Sequence, residues 1–208
     1  MSSLTTCARV CARLAAVVLI AALGGCASFY VDMNLKDVTP ATRVAVAKPK
    51  PVQLLFEFQT KGVRNVIGSE KLRPKVLDTV RASGAFSEVS ETPVTGGALL
   101  SITLNNVVLT DDVFAKGFVT GFTMGLVGST VGDGYICTVD YTSGPNAPKI
   151  TKTDRDAIYT SLGATSGPKQ EVVKVKGPDE ALTLMTHKTV ANAINEIVKD
   201  PSFAKETP

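Results

Sequence analysis

Residues 98–109, Ala98-Leu99-Leu100-Ser101-Ile102-Thr103-Leu104-Asn105-Asn106-Val107-Val108-Leu109, carry the clearest structural pattern in the chain. Apolar side chains at positions 100, 102 and 104 alternate with polar ones at 101, 103 and 105. A period of two places the two sets on opposite faces of a β-strand. The stretch therefore predicts a long strand with one buried and one polar face, as is usual in antiparallel sheets.

The same alternation predicts strands on both sides of this one. It recurs at 52–59 and 133–143, and a short apolar run at 172–175 indicates another strand. Residues 149–161 are predicted to return as a more polar strand, which favours an edge or solvent-facing position. Residues 86–89 begin a further short strand after a helix.

Two helices complete the prediction. The first is capped by Ser69, has Pro74 in its first turn and stops at Gly84. The second starts at Pro178 and ends at 200–201, with a broad apolar stripe between. The order of elements predicts an α+β fold: a mostly antiparallel sheet with both helices packed on one face, and a glycine-rich apolar insertion between central strands.

The first 25 residues have the features of an export signal. Arg9 and Arg13 precede an uncharged apolar run at 14–23, which is about half the roughly 20 residues that a membrane span needs. Leu23-Gly24-Gly25-Cys26 follows, and it resembles the lipobox of bacterial lipoproteins. The resemblance implies cleavage before Cys26, with diacylglyceryl on its sulfur and a fatty acyl group such as palmitate on its amine.

The resemblance also implies a location. In such lipoproteins, aspartate directly after the cysteine means retention in the inner membrane, and here Ala27 and Ser28 follow. We therefore expect a protein anchored in the outer membrane and facing the periplasm. The expected organisation is a signal peptide at 1–25, a lipidated N-terminus and tether at 26–51 that includes a short strand near 44–47, and a single periplasmic domain at 52–208.

Charge and cysteine content narrow the functional classes. The chain has a net charge of +3, and without Arg9 and Arg13 the charges nearly balance, so we expect no nucleic-acid partner. Two cysteines fall in the leader and Cys26 carries lipid, which leaves Cys137 as a small buried hydrophobe without a disulfide partner.

Residues 113–132 break the strand pattern with glycines four residues apart. On a helix these glycines would form a groove that admits another backbone, and the aromatic residues between them suit an interaction surface. Three interpretations stay open: a membrane-inserting element, a self-association surface, or an apolar loop over the sheet. The candidate surface residues are Gly117, Phe118, Gly121, Phe122, Gly125, Leu126 and Gly128.

Catalytic patterns are weak. His187 is the single histidine, and a hydrolytic or metal site would need partners that the sequence does not supply. The charged triplet at 154–156 is interpreted as surface charge. We expect no enzymatic activity, no metal and no cofactor other than the covalent lipid.

Three features together resemble one group of proteins: the lipobox, the segment 72–89 and the end of the last helix at 197–201. They are similar to small outer-membrane lipoproteins of Gram-negative bacteria, whose periplasmic α+β domain resembles transport-auxiliary and curli-secretion-channel lipoproteins. The resemblance implies a non-enzymatic binding, scaffold or assembly-accessory module with an unknown envelope partner. The alternative is a self-oligomerising, membrane-inserting pore or ring subunit that uses residues 113–132.

Overall fold

A computed structural model describes residues 27–109, 130–162, 167–168 and 171–205. These residues form one sheet, two long helices and a short third helix. The strands are β1 (Ala27–Asp32), β2 (Val52–Thr60), β3 (Val63–Arg64), β4 (Val89–Ser90), β5 (Leu99–Val108), β6 (Thr130–Thr142), β7 (Ile150–Leu162) and β8 (Val172–Val175). The helices are α1 (Val66–Ala82), α2 (Pro178–Lys199) and α3 (Pro201–Lys205).

The sheet has the strand order β3-β2-β5-β6-β7-β1-β8, with β4 paired to β2 as well. Most neighbouring strands are antiparallel. The exceptions are β2 with β5 and β2 with β4. Strands β2 and β5 are parallel because the chain crosses over through α1 between them. The predicted α+β architecture is confirmed.

The core lies between the helices and one face of the sheet. The long strands contribute alternate side chains, such as Leu100, Ile102 and Leu104 from β5, all fully buried. Cys137 packs among them and is also fully buried, as predicted. Burial raises the pKa of its thiol to about 12, so it stays protonated and unreactive at neutral pH.

Helix α1 starts earlier than its sequence pattern predicted. The N-cap is Asn65, whose side chain accepts a hydrogen bond from Gly68 N, and the predicted cap Ser69 instead bonds Phe58 N in β2. Pro74 consequently lies inside the helix, and not in its first turn. The predicted stop is confirmed, because Gly84 has φ 67°, a conformation that favours glycine.

The early start of α1 depends on a close approach at Gly68. A Cβ added there would clash with the ring of the buried Phe58. We expect Gly68→Ala to lower the free energy of unfolding by about 1–2 kcal/mol, since overpacking outweighs the gain in helix propensity. Urea unfolding of the two proteins measures the difference. Gly68→Ala in a Phe58→Leu background is the control, because the smaller side chain leaves room for the added Cβ; equal losses in both backgrounds would refute the proposed contact.

The tether predicted for residues 26–51 is wrong for most of its length. Residues 27–32 form β1, which pairs with β7 and β8 inside the sheet. The following segment runs along α2, where Asn195 accepts from Val44 N and donates to Thr42 O. No strand forms at 44–47. These residues are therefore an integral part of the domain and not a spacer.

Strand β7 is not at an edge, contrary to its polar sequence. It lies between β6 and β1. Two of its polar side chains on the helix-covered face have partners there: Lys152 donates to Asp200 at 2.7 Å, and Asp156 pairs with Lys188. The polarity of β7 reflects contacts with α2 and its C-terminal cap, and not exposure to water.

Candidate functional site: the anchor end of the sheet

The predicted site residues lie outside the part of the chain that the structure describes. This holds for the cleavage motif and Cys26, and for the seven candidate surface residues of the glycine-rich segment. Only residues 130–132 of that segment are described, and they belong to β6. The described residues that flank both features nevertheless fix where the chain enters and leaves the sheet.

The last residues of β7 pair on one side with the residue that follows Cys26, and on the other side with the end of the glycine-rich segment. Ala27, the residue after Cys26, pairs with Leu162 on one side. Thr130 pairs with Ser161 on the other side, and their hydroxyl oxygens are 2.7 Å apart. Two strand spacings separate Ala27 from Thr130, a distance of about 10 Å. We call the end of the sheet that carries Ala27, Thr130 and Leu162 the anchor end.

Exposed apolar side chains form two groups toward this side of the sheet. Among the described residues, seven large hydrophobic side chains are exposed, and all but Leu55 belong to these groups, each 47–80% exposed. Val108, Val131 and Leu162 lie within four residues of the end of β7 in the strand register. Val63, Val66 and Ile67 follow the turn after β2, which is level with Asp156, six residues before Leu162. The loops at the other end, 91–98 and 143–149, carry no exposed large hydrophobic residue. The contrast between the two ends is typical of an interaction surface.

Three of these residues belong to a rigid platform. Lys61 and Gly62 form a two-residue hairpin turn, and both have positive φ, 54° and 78°. The turn is tied to β5, because Lys61 N donates to Asn106 O at 2.8 Å and Gly62 N to Asn105 Oδ1 at 2.9 Å. Residues 63–67 follow directly, and the side chains of Val63, Val66 and Ile67 are exposed.

The two long helices pack side by side and run in the same direction. Three contacts join α1 and α2 at successive turns, with a constant offset of 108 residues. They are Lys71 with Asp179, Lys75 with Thr183, and Thr79 with His187.

The strand register sets the platform apart from Ala27. Val63 pairs with Thr60, and Thr60 is level with Asn106, Tyr135 and Asp156 across the sheet. Asp156 lies six residues before Leu162, the partner of Ala27.

A buried polar cluster lies in the middle of the domain. Lys188 on α2 is fully buried; its Nζ is 3.0 Å from Asp156 Oδ2 and donates to the Asp32 carbonyl. The Tyr159 hydroxyl donates to Asp32 Oδ2 at 3.1 Å. The prediction that 154–156 is surface charge is therefore wrong for Asp156, which is 4% exposed. The cluster joins β1, β7 and α2, and sequence periodicity gave no sign of it.

Burial and the neighbouring positive charge have opposite effects on the pKa of Asp156. Removal from water raises the pKa of the carboxyl to about 7, although the Lys188 ammonium and the Ala157 backbone N–H both lower it. The carboxylate of Asp156 is thus stabilised by Lys188 at neutral pH. This places the ion pair among the interactions that hold the three elements together.

His187 lies beside a small cavity between the helices and the segment that precedes β2. Its Nδ1 is 3.3 Å from the Thr79 hydroxyl, and Val44 and Asn195 also line the cavity. The cavity volume is about 20 Å³, room for one water molecule. Among the described residues, no group of three histidine, cysteine or acidic side chains is arranged to hold a metal.

No helix within the described ranges is both long and apolar enough to cross a membrane. No protein-family model matches the chain, and no curated protein is found to be related to it.

Three solved structures show a distant likeness. A PelC dodecamer from Paraburkholderia phytofirmans is 11% identical over 82% of this chain and 96% of that chain, with a TM-score of 0.36. A candidate lipoprotein from Caulobacter crescentus CB15 is 11% identical over 76% of this chain and 93% of that chain, with a TM-score of 0.34. An uncharacterised protein is 10% identical over 71% of this chain and 90% of that chain, with a TM-score of 0.35. These values are too low to assign the chain to a family.

Proposed function

We propose that this chain is a non-enzymatic lipoprotein, anchored through Cys26 to the periplasmic face of the outer membrane, where it binds or scaffolds an envelope partner. One observation carries the proposal: β1 starts at Ala27, the residue directly after the lipobox cysteine. The anchor is thus joined to the sheet without a spacer. A folded domain attached in this way is held against the bilayer.

The strength of such an anchor follows from its acyl chains. Each buried methylene contributes about 0.8 kcal/mol, and a single myristoyl chain binds only marginally. A diacylglyceryl group and an acylated amine together make attachment effectively permanent. The protein would therefore act only within reach of one membrane, as suits a scaffold.

The contacts of the ionisable groups in the described part of the domain suit a structural role for these groups. Lys188, Asp156 and Asp32 are bound to one another or to the backbone in the interior. His187 contacts the Thr79 hydroxyl beside a cavity with room for one water molecule. These groups stabilise the domain, and a binding role at its surface agrees with this arrangement better than catalysis does.

Substitution of Ala27 tests whether the protein is anchored in the outer membrane. Ala27 is exposed at the start of β1, so a polar side chain fits there. We expect the unaltered protein in the outer-membrane fraction of a density gradient and Ala27→Asp in the inner-membrane fraction, because aspartate after the lipidated cysteine is the retention signal of the lipoproteins that this chain resembles. Ala27→Ser is the control and should stay in the outer membrane. Recovery of the unaltered protein with the inner membrane would contradict the assignment.

A further inference from the structure

We infer that the leader is removed while β1 is still outside the sheet, so that β1 docks between β7 and β8 only after cleavage. The inference rests on the proposed lipobox and adds an order of events to it. In the cleavage step, water hydrolyses the peptide bond between Gly25 and Cys26, which leaves a carboxylate on Gly25 and a free amine on Cys26. The folded domain leaves little room around that bond.

The register of β1 brings the rest of the sheet close to the bond that is cut. Ala27 pairs with Leu162 of β7. Phe29 pairs with Thr160 of β7 on one side and with Val175 of β8 on the other. From Phe29 onward, β1 therefore has neighbouring strands about 4.8 Å away on both sides. Phe29 is separated from the bond by a length of chain that spans about 11 Å at full extension.

A peptidase needs the space that these neighbouring strands occupy. Proteins that bind a peptide in an extended conformation do so through hydrogen bonds to its main chain. The main chain of β1 already makes such bonds to β7 and β8. The apolar run of the leader at 14–23 also places the bond within a few residues of the membrane. There the end of the docked sheet would obstruct the peptidase.

Contacts inside the domain hold β1 in the sheet once it has docked. Val31 is fully buried in the core. Asp32, the last residue of β1, accepts from the Tyr159 hydroxyl through Oδ2 and from Lys188 Nζ through its carbonyl oxygen. These two contacts form only when β1 is in place, because Tyr159 and Lys188 belong to β7 and α2. They fix the end of β1 that lies farthest from Cys26, so we expect a docked β1 to stay in the sheet.

A disulfide that holds β1 in the sheet tests the order of events. Ser28 and Ser161 are register partners on β1 and β7, and partners in an antiparallel pair have Cα atoms about 4.5–5.5 Å apart, which suits a disulfide. The precursor of Ser28→Cys/Ser161→Cys is accumulated in membranes with a reversible inhibitor of the leader peptidase, oxidised, and then freed of the inhibitor. We expect the oxidised precursor to stay uncleaved, as judged by gel mobility, and dithiothreitol to restore cleavage.

A second cysteine pair serves as the matched control. Thr138→Cys/Thr153→Cys joins β6 to β7 away from β1, at register partners whose hydroxyl oxygens are 3.4 Å apart. Its oxidised precursor should be cleaved at the same rate as its reduced precursor. In both pairs the leader residues Cys7 and Cys11 are replaced by serine, and Cys137 is buried, so that the introduced thiols react with each other.

The other outcomes separate the order of events from the anchor. Cleavage of the oxidised Ser28→Cys/Ser161→Cys precursor at the rate of the control pair overturns the inference and leaves the anchor intact. A disulfide that forms in the mature protein but not in the precursor supports the inference, because β1 is then outside the sheet before cleavage. A precursor that carries no fatty acid, or a leader cut at another bond, overturns the lipobox and the inference with it.

Discussion

Lys188→Met is expected to lower the free energy of unfolding by about 3–5 kcal/mol, because it leaves the buried Asp156 carboxyl without its cation. The lysine is fully buried, and its ammonium lies 3.0 Å from Asp156 Oδ2. Its second contact, to the Asp32 carbonyl, ties β1 to α2 and is lost as well. Urea unfolding of the purified mature protein measures the loss.

The pH dependence identifies the mechanism. Because burial raises the pKa of Asp156 to about 7, the folded protein retains a proton that the unfolded chain releases near its ordinary pKa of 3.8. The stability that this retained proton on Asp156 contributes is fully present below pH 3.8 and is lost as the pH rises toward 7. Lys188 lowers the pKa, so its removal extends the loss to higher pH. The difference between Lys188→Met and the unaltered protein should therefore widen above pH 7.

Two further variants serve as controls for this prediction. Lys188→Met combined with Asp156→Leu removes both charges and should recover much of the stability. Lys199→Met, on the same helix, removes an exposed lysine that forms a surface ion pair with Glu196 and should change the free energy by less than about 0.5 kcal/mol. A loss below about 1 kcal/mol for Lys188→Met, or one that does not depend on pH, would contradict the assigned role of the ion pair.

Cys26→Ser is expected to abolish fatty-acid labelling and to leave a precursor that retains its 25-residue leader. A serine hydroxyl lacks the thiol that receives the diacylglyceryl group, and cleavage of lipoprotein leaders follows that transfer in the group that this chain resembles. Radiolabelled palmitate and gel mobility report the two steps separately. Cys11→Ser in the leader is the matched control and should be labelled and processed normally. Normal maturation of Cys26→Ser would rule out the lipobox.

Much of the sheet was predictable because alternation is a local property. In β5 and β6 one face is apolar along most of the strand, as with Cys137 and Val139, so the period alone shows which side is buried. Strand β7 was misplaced because Lys152 and Asp156 occupy its inner face. Their partners, Asp200 and Lys188, lie more than 30 residues away in the chain, and no local pattern reports such a contact.

The anchor end was predictable only in part. The sequence indicates the lipobox, but Ala27–Asp32 is too short and too mixed a run to predict a strand that joins the sheet between β7 and β8. The platform at 63–67 was missed for a related reason. Its hairpin depends on Lys61 with φ 54°, a conformation uncommon for a residue other than glycine, and on hydrogen bonds to β5.

The intact mass and N-terminal peptide of the protein purified from membranes test the central claim most directly. A protein that starts at Cys26, with the mass of a diacylglyceryl group and one amide-linked fatty acid added, is the predicted result. An unmodified cysteine, or a mature N-terminus at any other residue, would contradict the proposed anchor.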